Sequence, residues 1–173
     1  FGLLKPSALA VLLDFIDRTQ NAALRPLIES SAERLAQSNT SELVKLVKDA
    51  RPAVAREAIR RAGAMRTASA VPALGEVLAT ADAERPMRAA AVTALTDIGT
   101  PGALSALETA LTDPDRDIRI ATIRALTART HRPALAKVDA LVRGKAAKDA
   151  DRTERIALFE LFVATMVFVC LVD

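Results

Sequence analysis

The sequence predicts an all-α solenoid of about five helical hairpins, and two observations support this fold class. Of the 173 residues, 36 are Ala and 22 are Leu, both strong helix formers, whereas aromatic residues make up 3%. Arginines also recur at separations of 31, 32, 31 and 36 residues, at Arg25, Arg56, Arg88, Arg119 and Arg155. Positions two, three, six and seven after each arginine are mostly apolar, which is the pattern of one buried helix face. Each arginine is therefore predicted to open the second helix of a repeat.

A shorter apolar helix precedes each of these second helices. The five predicted first helices cover residues 9–16, 43–47, 71–78, 104–111 and 135–142. Proline suits the start of a helix, because the first turn does not use its backbone N–H, and four prolines stand there: Pro6, Pro72, Pro101 and Pro133. The predicted repeats, all within a single domain over residues 1–173, are residues 1–38, 39–66, 67–99, 100–131 and 132–173.

Local signals mark the ends of individual helices. Asn39 stands three residues before Glu42, which predicts a capping box at the start of a first helix. Gly63 and Gly99 stand where a second helix is expected to stop, since glycine readily adopts the left-handed conformation that ends a helix. These signals agree with the repeat boundaries drawn from the arginine period.

Composition limits the chemistry that the chain can perform. The net charge is +3, and there is one histidine and one cysteine, Cys170, so metal sites, imidazole catalysis and disulfides are disfavoured. We find no nucleophile–base pair and no glycine-rich phosphate loop, so the chain is predicted to be no enzyme and to need no metal or cofactor. The unpaired cysteine and the missing leader pattern predict a cytoplasmic location. The start at Phe1 suggests a segment of a longer protein.

The best repeat runs from Pro101 through Leu111, the acidic turn Asp113-Pro114-Asp115, and the second helix to Leu126. This pattern resembles the HEAT repeat family, in particular its short bacterial form, the HEAT-like or phycobilisome-lyase-type repeats. The resemblance covers nearly the whole chain and is strongest over residues 41–132. It implies a right-handed α-α superhelix whose second helices line the concave surface, acting as a scaffold for other proteins.

The turn between the two helices of a repeat carries an aspartate at Asp49, Asp82 and Asp113, six or seven residues before a periodic arginine. We interpret these aspartates and the five arginines as a structural ladder, in which the Asp of one repeat stacks beside the Arg of the next. The alternative is a catalytic or anion-binding role for the same aspartates and arginines.

Positions one, five, eight and nine after each arginine are expected to face outwards along the second helix. We predict that a protein or peptide partner binds this second-helix stripe, because its mixed charges suit a polar polypeptide better than a uniform polyanion. The stripe consists of Glu33, Arg34, Glu57, Arg61, Thr93, Asp97, Arg124 and Glu160. The alternative is a solvated helix face that binds nothing.

Nucleic-acid binding is the alternative function. Seven cations fall within the basic segment, residues 45–66: Lys45, Lys48, Arg51, Arg56, Arg60, Arg61 and Arg66. Phosphate neutralisation needs such a cluster on one face. However, no aromatic residue is interleaved for base stacking, and the chain has no Trp or Tyr, which also disfavours the DNA glycosylase chemistry found among HEAT-like proteins. Protein binding is therefore preferred.

The C-terminal segment 156–172 is almost entirely apolar. A membrane span is disfavoured, because the segment is shorter than the ~20 residues usually required and contains Glu160. We instead predict a second helix from Arg155 to Thr165, with residues 167–172 capping the stack or starting a sixth repeat. The apolar face carrying Phe159, Phe162 and Phe168 is expected to be covered by further chain, a second subunit or a partner.

Overall fold

The structure is a computed structural model that describes residues 5–129, 134–144 and 151–172, and of Leu135 and residues 165–172 the backbone alone. This part of the chain contains ten α-helices and no β-strand. The predictions that concern Pro133 and the Phe168 side chain fall outside it. The chain divides into two compact units, the first ending at Ile98 and the second beginning at Gly99.

The first unit consists of three helical hairpins. Its helices are α1 (Ala8–Arg18), α2 (Arg25–Ser38), α3 (Thr40–Leu46), α4 (Pro52–Ala64), α5 (Val71–Ala79) and α6 (Arg85–Ile98). A 3₁₀ turn, Ala68–Ala70, leads into α5. Helix α1 packs against α2 and α4, and α4 packs extensively against α6. The second helices of repeats two and three therefore lie side by side.

The second unit consists of two hairpins. Its helices are α7 (Pro101–Thr109), α8 (Arg116–Ala128), α9 (Leu135–Arg143) and α10 (Arg152–Val172), with a 3₁₀ turn at Ala110–Thr112 after α7. Helix α10 packs against both α8 and α9. The all-α fold of five helical hairpins is confirmed and is consistent with a solenoid. The right-handed superhelix and the single domain over residues 1–173 stay predictions.

The second helices begin before the periodic arginine, contrary to the sequence prediction. Only Arg25 opens its helix, whereas Arg56 is the fifth residue of α4 and the arginines of α6, α8 and α10 are each the fourth. Proline occupies one of the first two positions in three of these helices, as Pro26, Pro52 and Pro86. Pro52 and Pro86 stand upstream of Arg56 and Arg88 and suit the earlier start of α4 and α6, because a proline in the first turn leaves no intrahelical hydrogen bond unmade.

A single residue, Asn39, separates α2 from α3. The predicted capping box is not formed, because the Asn39 side chain closes the preceding helix instead, its Nδ2 donating to Leu35 O at 3.0 Å. The Glu42 carboxylate pairs with Lys45, 3.3 Å away on the same helix. The Asn39 side chain thus bonds to the helix that ends at this point, and the boundary between repeats one and two stays a prediction.

Gly63 lies inside α4 and does not terminate it, contrary to the prediction. The helix ends at Ala64, and Arg66 adopts the left-handed conformation with φ of 50°. The backbone N–H of Arg66 donates to Gly63 O at 2.8 Å and that of Thr67 to Ala62 O at 2.9 Å, a Schellman motif. Gly99, with φ of 62°, follows α6 as predicted. Gly63 is instead a packing residue, because an added Cβ would lie 2.7 Å from Ala94 Cα.

The predicted apolar helix faces form the core in repeats two to five. In α4, Ala58, Ile59 and Ala62 are fully buried, and in α6 Ala91 and Leu95 are buried likewise. Repeat one is the exception, because its Leu27 is exposed. The core thus combines Leu and Ile side chains with alanines, whose small size lets neighbouring helices approach closely.

Helix α10 runs without a break to Val172, so the predicted end of a helix at Thr165 is wrong. No helix among the described residues is both long enough and apolar enough to cross a membrane.

Candidate protein-interaction site

Two of the periodic arginines close their own hairpins. The Arg88 side chain is 4% exposed, and its Nε donates to Leu78 O at 3.1 Å. Arg119 Nη1 donates to the carbonyls of Asp113 at 2.8 Å and Pro114 at 3.1 Å. Both guanidinium groups thus reach the end of the first helix or the turn after it, where carbonyls lack intrahelical partners.

Arg119 and Arg56 connect neighbouring repeats, whereas Arg25 does not. The Arg119 guanidinium also donates two parallel hydrogen bonds to the Glu154 carboxylate, Nε to Oε1 at 2.6 Å and Nη2 to Oε2 at 2.9 Å. The Glu154 side chain is 8% exposed. The hydrogen bond to Glu154 raises the pKa of Arg119. Arg56 pairs with Asp17 of α1 at 2.8 Å. Arg25 pairs with Glu29 of its own helix, at 3.0 Å. The structural role of these arginines stays a prediction, and their acidic partners are residues that the sequence did not indicate.

The aspartates of the predicted ladder serve their own turns. Asp49 pairs with Arg51 at 2.9 Å, and the hydrogen bond from this side chain lowers the pKa of Asp49. Asp113 Oδ1 accepts from the backbone N–H of Asp115 at 2.8 Å, and Asp82 is exposed. Asp49 and Asp113 thus bond within their own turns, because an Asp in a short turn finds donors two residues ahead, and the stacking of one repeat's Asp on the next repeat's Arg stays a prediction. Arg155, the last member of the ladder, is exposed.

Most of the predicted second-helix stripe is at the surface. Its exposed members are Glu33, Arg34, Thr93, Asp97, Arg124 and Glu160. The prediction of a surface role is wrong for Arg61, which is 5% exposed, and Glu57 is partly buried. Arg61 Nη1 donates to Glu29 O of α2 at 3.3 Å, and Nη2 forms an ion pair with Glu57 Oε1 at 3.0 Å. Arg61 is buried because it extends towards α2.

The exposed sides of α4 and α6 form a cleft of about 240 Å³ in the first unit. Its lining residues are Arg56, Arg60, Ala90, Thr93, Ala94 and Asp97. Two guanidinium groups make one wall, a hydroxyl and a carboxylate make the other, and two alanines contribute apolar surface between them. Thr93 and Asp97 belong to the predicted stripe, whereas the sequence indicated Arg60, four residues after Arg56, only as part of the basic segment.

Arg60 is held in place at the edge of this cleft. Its Nε and Nη2 donate to the two carboxylate oxygens of Glu57 at 2.9 and 2.6 Å, and this hydrogen bonding raises its pKa. Because Glu57 engages only those two nitrogens, the two N–H groups of Nη1 are not used by this pair. The arginine is therefore positioned while keeping donors for a ligand.

The basic segment 45–66 does not present seven unpaired cations. Six of them have acidic partners: Lys45 with Glu42, Lys48 with Glu76, Arg51 with Asp49, Arg56 with Asp17, and Arg60 and Arg61 with Glu57. A polyanion would have to compete with these carboxylates for the cations that it must neutralise. The arrangement therefore favours a ligand of mixed polarity over nucleic acid.

The predicted C-terminal apolar face is exposed in part. Phe159 is 62% exposed, whereas Phe162 is partly buried. Ile156 and Val163 are also exposed, at helical spacing from Phe159. We call Ile156, Phe159 and Val163 the C-terminal apolar patch. No group of three or more potential metal-ligating side chains occurs within the described residues.

Comparison with known protein families identifies the repeat. A sequence profile described as HEAT repeats matches residues 40–127 and, in a second register, residues 79–159. The matches together span more than half of the chain and include α3 to α9 and the start of α10. Among curated proteins no relative matches the sequence. The assignment to the short bacterial subgroup stays a prediction. The repeated hairpins and the matching profile agree, and the chain belongs to the HEAT repeat family.

Proposed function

We propose that this chain is a non-catalytic scaffold that binds a protein or peptide partner along its second helices, with the α4–α6 cleft as a principal contact. HEAT repeats commonly serve as protein-interaction scaffolds. The observation that carries the proposal is the cleft itself, which unites exposed residues of two neighbouring second helices in one concave site.

The lining of the cleft suits a polypeptide segment. Arg60 offers N–H donors on one wall, while Asp97 and the hydroxyl oxygen of Thr93 offer acceptors on the other. A peptide backbone presents both C=O and N–H groups and could satisfy both walls. The volume of about 240 Å³ lies below the roughly 300–1,000 Å³ typical of small-molecule sites, which favours a short peptide stretch or one side chain.

The remaining exposed stripe residues are proposed as further contacts, each within its own unit. Glu33 lies on α2 of the first unit, and Arg124 and Glu160 lie on α8 and α10 of the second. Arg60 replaces Arg61 in the proposed site, because Arg61 is buried. A cytoplasmic location, inferred from the single cysteine, is part of the proposal.

The experiment is affinity capture followed by titration of the purified partner. The double variant Arg60→Glu/Asp97→Lys reverses the charge of both walls, and we expect at least a tenfold loss of affinity with unchanged helical circular dichroism. Arg143→Glu is the matched control, because Arg143 is exposed and paired with Asp139 of its own helix at 2.7 Å. Full affinity of the double variant, or an equal loss in the control, would contradict the site.

A photo-crosslinking amino acid gives an independent readout. Placed at Thr93, it should form a covalent adduct with the partner, whereas placed at Ser105, an exposed residue of α7, it should not. Equal adducts at both positions would mean that the cleft has no special role.

A further inference from the structure

Two arginines share the Glu57 carboxylate at the edge of the α4–α6 cleft. Glu57 Oε1 accepts from Arg60 Nη2 at 2.6 Å and lies 3.0 Å from Arg61 Nη2, while Oε2 accepts from Arg60 Nε at 2.9 Å. Guanidinium groups stay protonated in proteins. Two positive charges therefore surround one carboxylate, and one of them is not neutralised within this group.

The inner part of the group is shielded from solvent. Arg61 is buried, and the Glu57 side chain is 14% exposed. Arg61 donates from Nη1 to Glu29 O at 3.3 Å, but its Nε and Nη2 form no hydrogen bond with any described residue. A buried charge is screened less than an exposed one. An anion bound to Arg60, the exposed member, would therefore also be attracted by a charge that lies outside the lining of the cleft.

Arg56 and Arg60 present unused donors to the same cleft. They stand four residues apart on α4 and so share one helix face. Arg56 uses Nη2 for Asp17, and Arg60 uses Nε and Nη2 for Glu57; neither bonds to any other described residue. Both Nη1 groups can therefore donate to an acceptor with two oxygens. Because the Asp97 carboxylate lines the same cleft, a single negative charge suits the site better than the two of a phosphate.

We propose that the α4–α6 cleft binds the side-chain carboxylate of an acidic residue of the partner, held by Arg56 and Arg60 and attracted by the buried charge of Arg61. This assignment rests on the proposed function and names the side chain that the partner must supply. A side chain is favoured over a free carboxyl terminus, because the partner is also proposed to contact Glu33 on α2 and so continues beyond the cleft.

Four short peptides test the ligand chemistry by NMR titration of the full chain. The first is an acetylated, amidated alanine pentapeptide with glutamate at its centre, and glutamine or phosphoserine replaces this glutamate in the next two. The fourth is acetylated tetra-alanine with a free carboxyl terminus. The Nε–H signals of Arg56 and Arg60 and the backbone amide of Thr93 report binding at the cleft.

The glutamate peptide should shift these signals in a saturable manner. We expect about tenfold weaker binding of the glutamine peptide, because a hydrogen bond to an ionised acceptor is the stronger one. The phosphoserine and free-carboxyl peptides should also bind more weakly than the glutamate peptide. Equal affinities of the glutamate and glutamine peptides, no saturable shift with the glutamate peptide, or tighter binding of either other peptide would overturn the proposal.

Arg61→Met tests the buried charge, because it leaves all cleft-lining residues in place and leaves Glu57 paired with Arg60. We expect the glutamate peptide to bind about threefold more weakly and the glutamine peptide to bind as before. Arg143→Met is the control: it removes the same charge from an exposed residue of the second unit and should change neither affinity. Circular dichroism verifies folding, and a folded Arg61→Met variant with unchanged affinity for the glutamate peptide would overturn the role of Arg61.

The two proposals fail in different ways. Partner capture that survives Arg60→Glu/Asp97→Lys would contradict the proposed function. Capture that is lost in that variant, together with equal binding of the glutamate and glutamine peptides, would contradict the carboxylate assignment alone.

Discussion

The α4–α6 contact and the α8–α10 contact join neighbouring repeats in different ways. Between α4 and α6 the contact is apolar at its closest point, where Gly63 approaches Ala94 so closely that an added methyl group would lie 2.7 Å from its Cα. Between α8 and α10 the contact includes a two-bond ion pair, Arg119 with Glu154, and a second pair, Arg116 with Asp151.

Neighbouring second helices thus pack against each other in both units, but the residues that join them differ. Small apolar residues meet between α4 and α6, whereas ion pairs join α8 and α10. Arg88 and Arg119 are each the fourth residue of their helix. Arg88 donates to Leu78 O near the end of α5, and Arg119 donates to Asp113 O in the turn that precedes α8. Arg119 additionally grips an acidic residue of the next repeat. The stability of the α4–α6 contact should therefore depend on side-chain volume. The stability of the α8–α10 contact should depend on the presence of both ion-pair partners.

Gly63→Val should have the largest effect, because it adds volume where α4 meets the backbone of α6. We expect the free energy of unfolding to fall by about 3 kcal/mol, the upper end of the cost of overpacking. Urea denaturation followed by circular dichroism measures this change. Ala64→Val is the control, because Ala64 is the exposed neighbour in the same helix and should cost less than about 1 kcal/mol. Equal effects of the two variants would disprove close packing at Gly63.

Glu154→Leu should have an intermediate effect, because it leaves the Arg119 guanidinium beside an apolar side chain. Loss of one partner of a fully buried pair costs about 3–5 kcal/mol. Arg119 retains two carbonyl partners and is 24% exposed at its side chain, so we expect a smaller loss, about 2 kcal/mol.

A double-mutant cycle tests the coupling between these two residues. Arg119→Met/Glu154→Leu should be more stable than the sum of the single variants predicts, by about 1 kcal/mol. Glu160→Gln, an exposed change in the same helix, should have little effect on unfolding. Strict additivity of the two single variants would show that the ion pair does not join α8 to α10.

The sequence predicted the hairpins correctly because their buried faces repeat with the helical period. The second helices of repeats two to five start upstream of the periodic arginine, and in two of them, α4 and α6, a proline in the first turn suits that earlier start. The role of Gly63 could not be deduced from its own segment, because it depends on contact with Ala94, which lies 31 residues further along the chain. Such non-local contacts leave no mark in local propensity.

The candidate site was predicted less well than the fold. Helical spacing identified Thr93 and Asp97 as exposed, but it gave Arg61 the same status, although α2 covers it. Exposure depends on the neighbouring helix as well as on the register within a helix. The role of Arg60 in the cleft was missed, because Arg60 lines a concave site only where α6 forms the opposite wall.

Low pH should change the stability of the two units to different extents, and this effect should be smaller than those of the substitutions above. Asp151 Oδ1 accepts from the backbone N–H of Glu154 at 2.9 Å, which lowers the pKa of Asp151, and Arg116 adds to this effect. Because the pKa is lower in the folded state than the unfolded value of about 3.9, the ionised carboxylate stabilises the fold above about pH 4. This contribution is lost as the pH falls through the folded pKa.

Asp151→Asn should be less stable than the wild type at pH 7, and the gap should close below about pH 4 as the wild-type carboxylate is protonated. Asp49→Asn is the matched variant in unit one, where Arg51 lowers the pKa of Asp49 from only two residues away. Asp151 combines its bond from Glu154, three residues ahead, with the pair to Arg116 of α8, which the unfolded chain lacks, so the gap for Asp49→Asn should be smaller. Urea denaturation of the three proteins from pH 7 to about pH 2.5 measures both gaps. A gap for Asp49→Asn as large as that for Asp151→Asn would show that the Arg116–Asp151 pair adds nothing measurable to the local hydrogen bond.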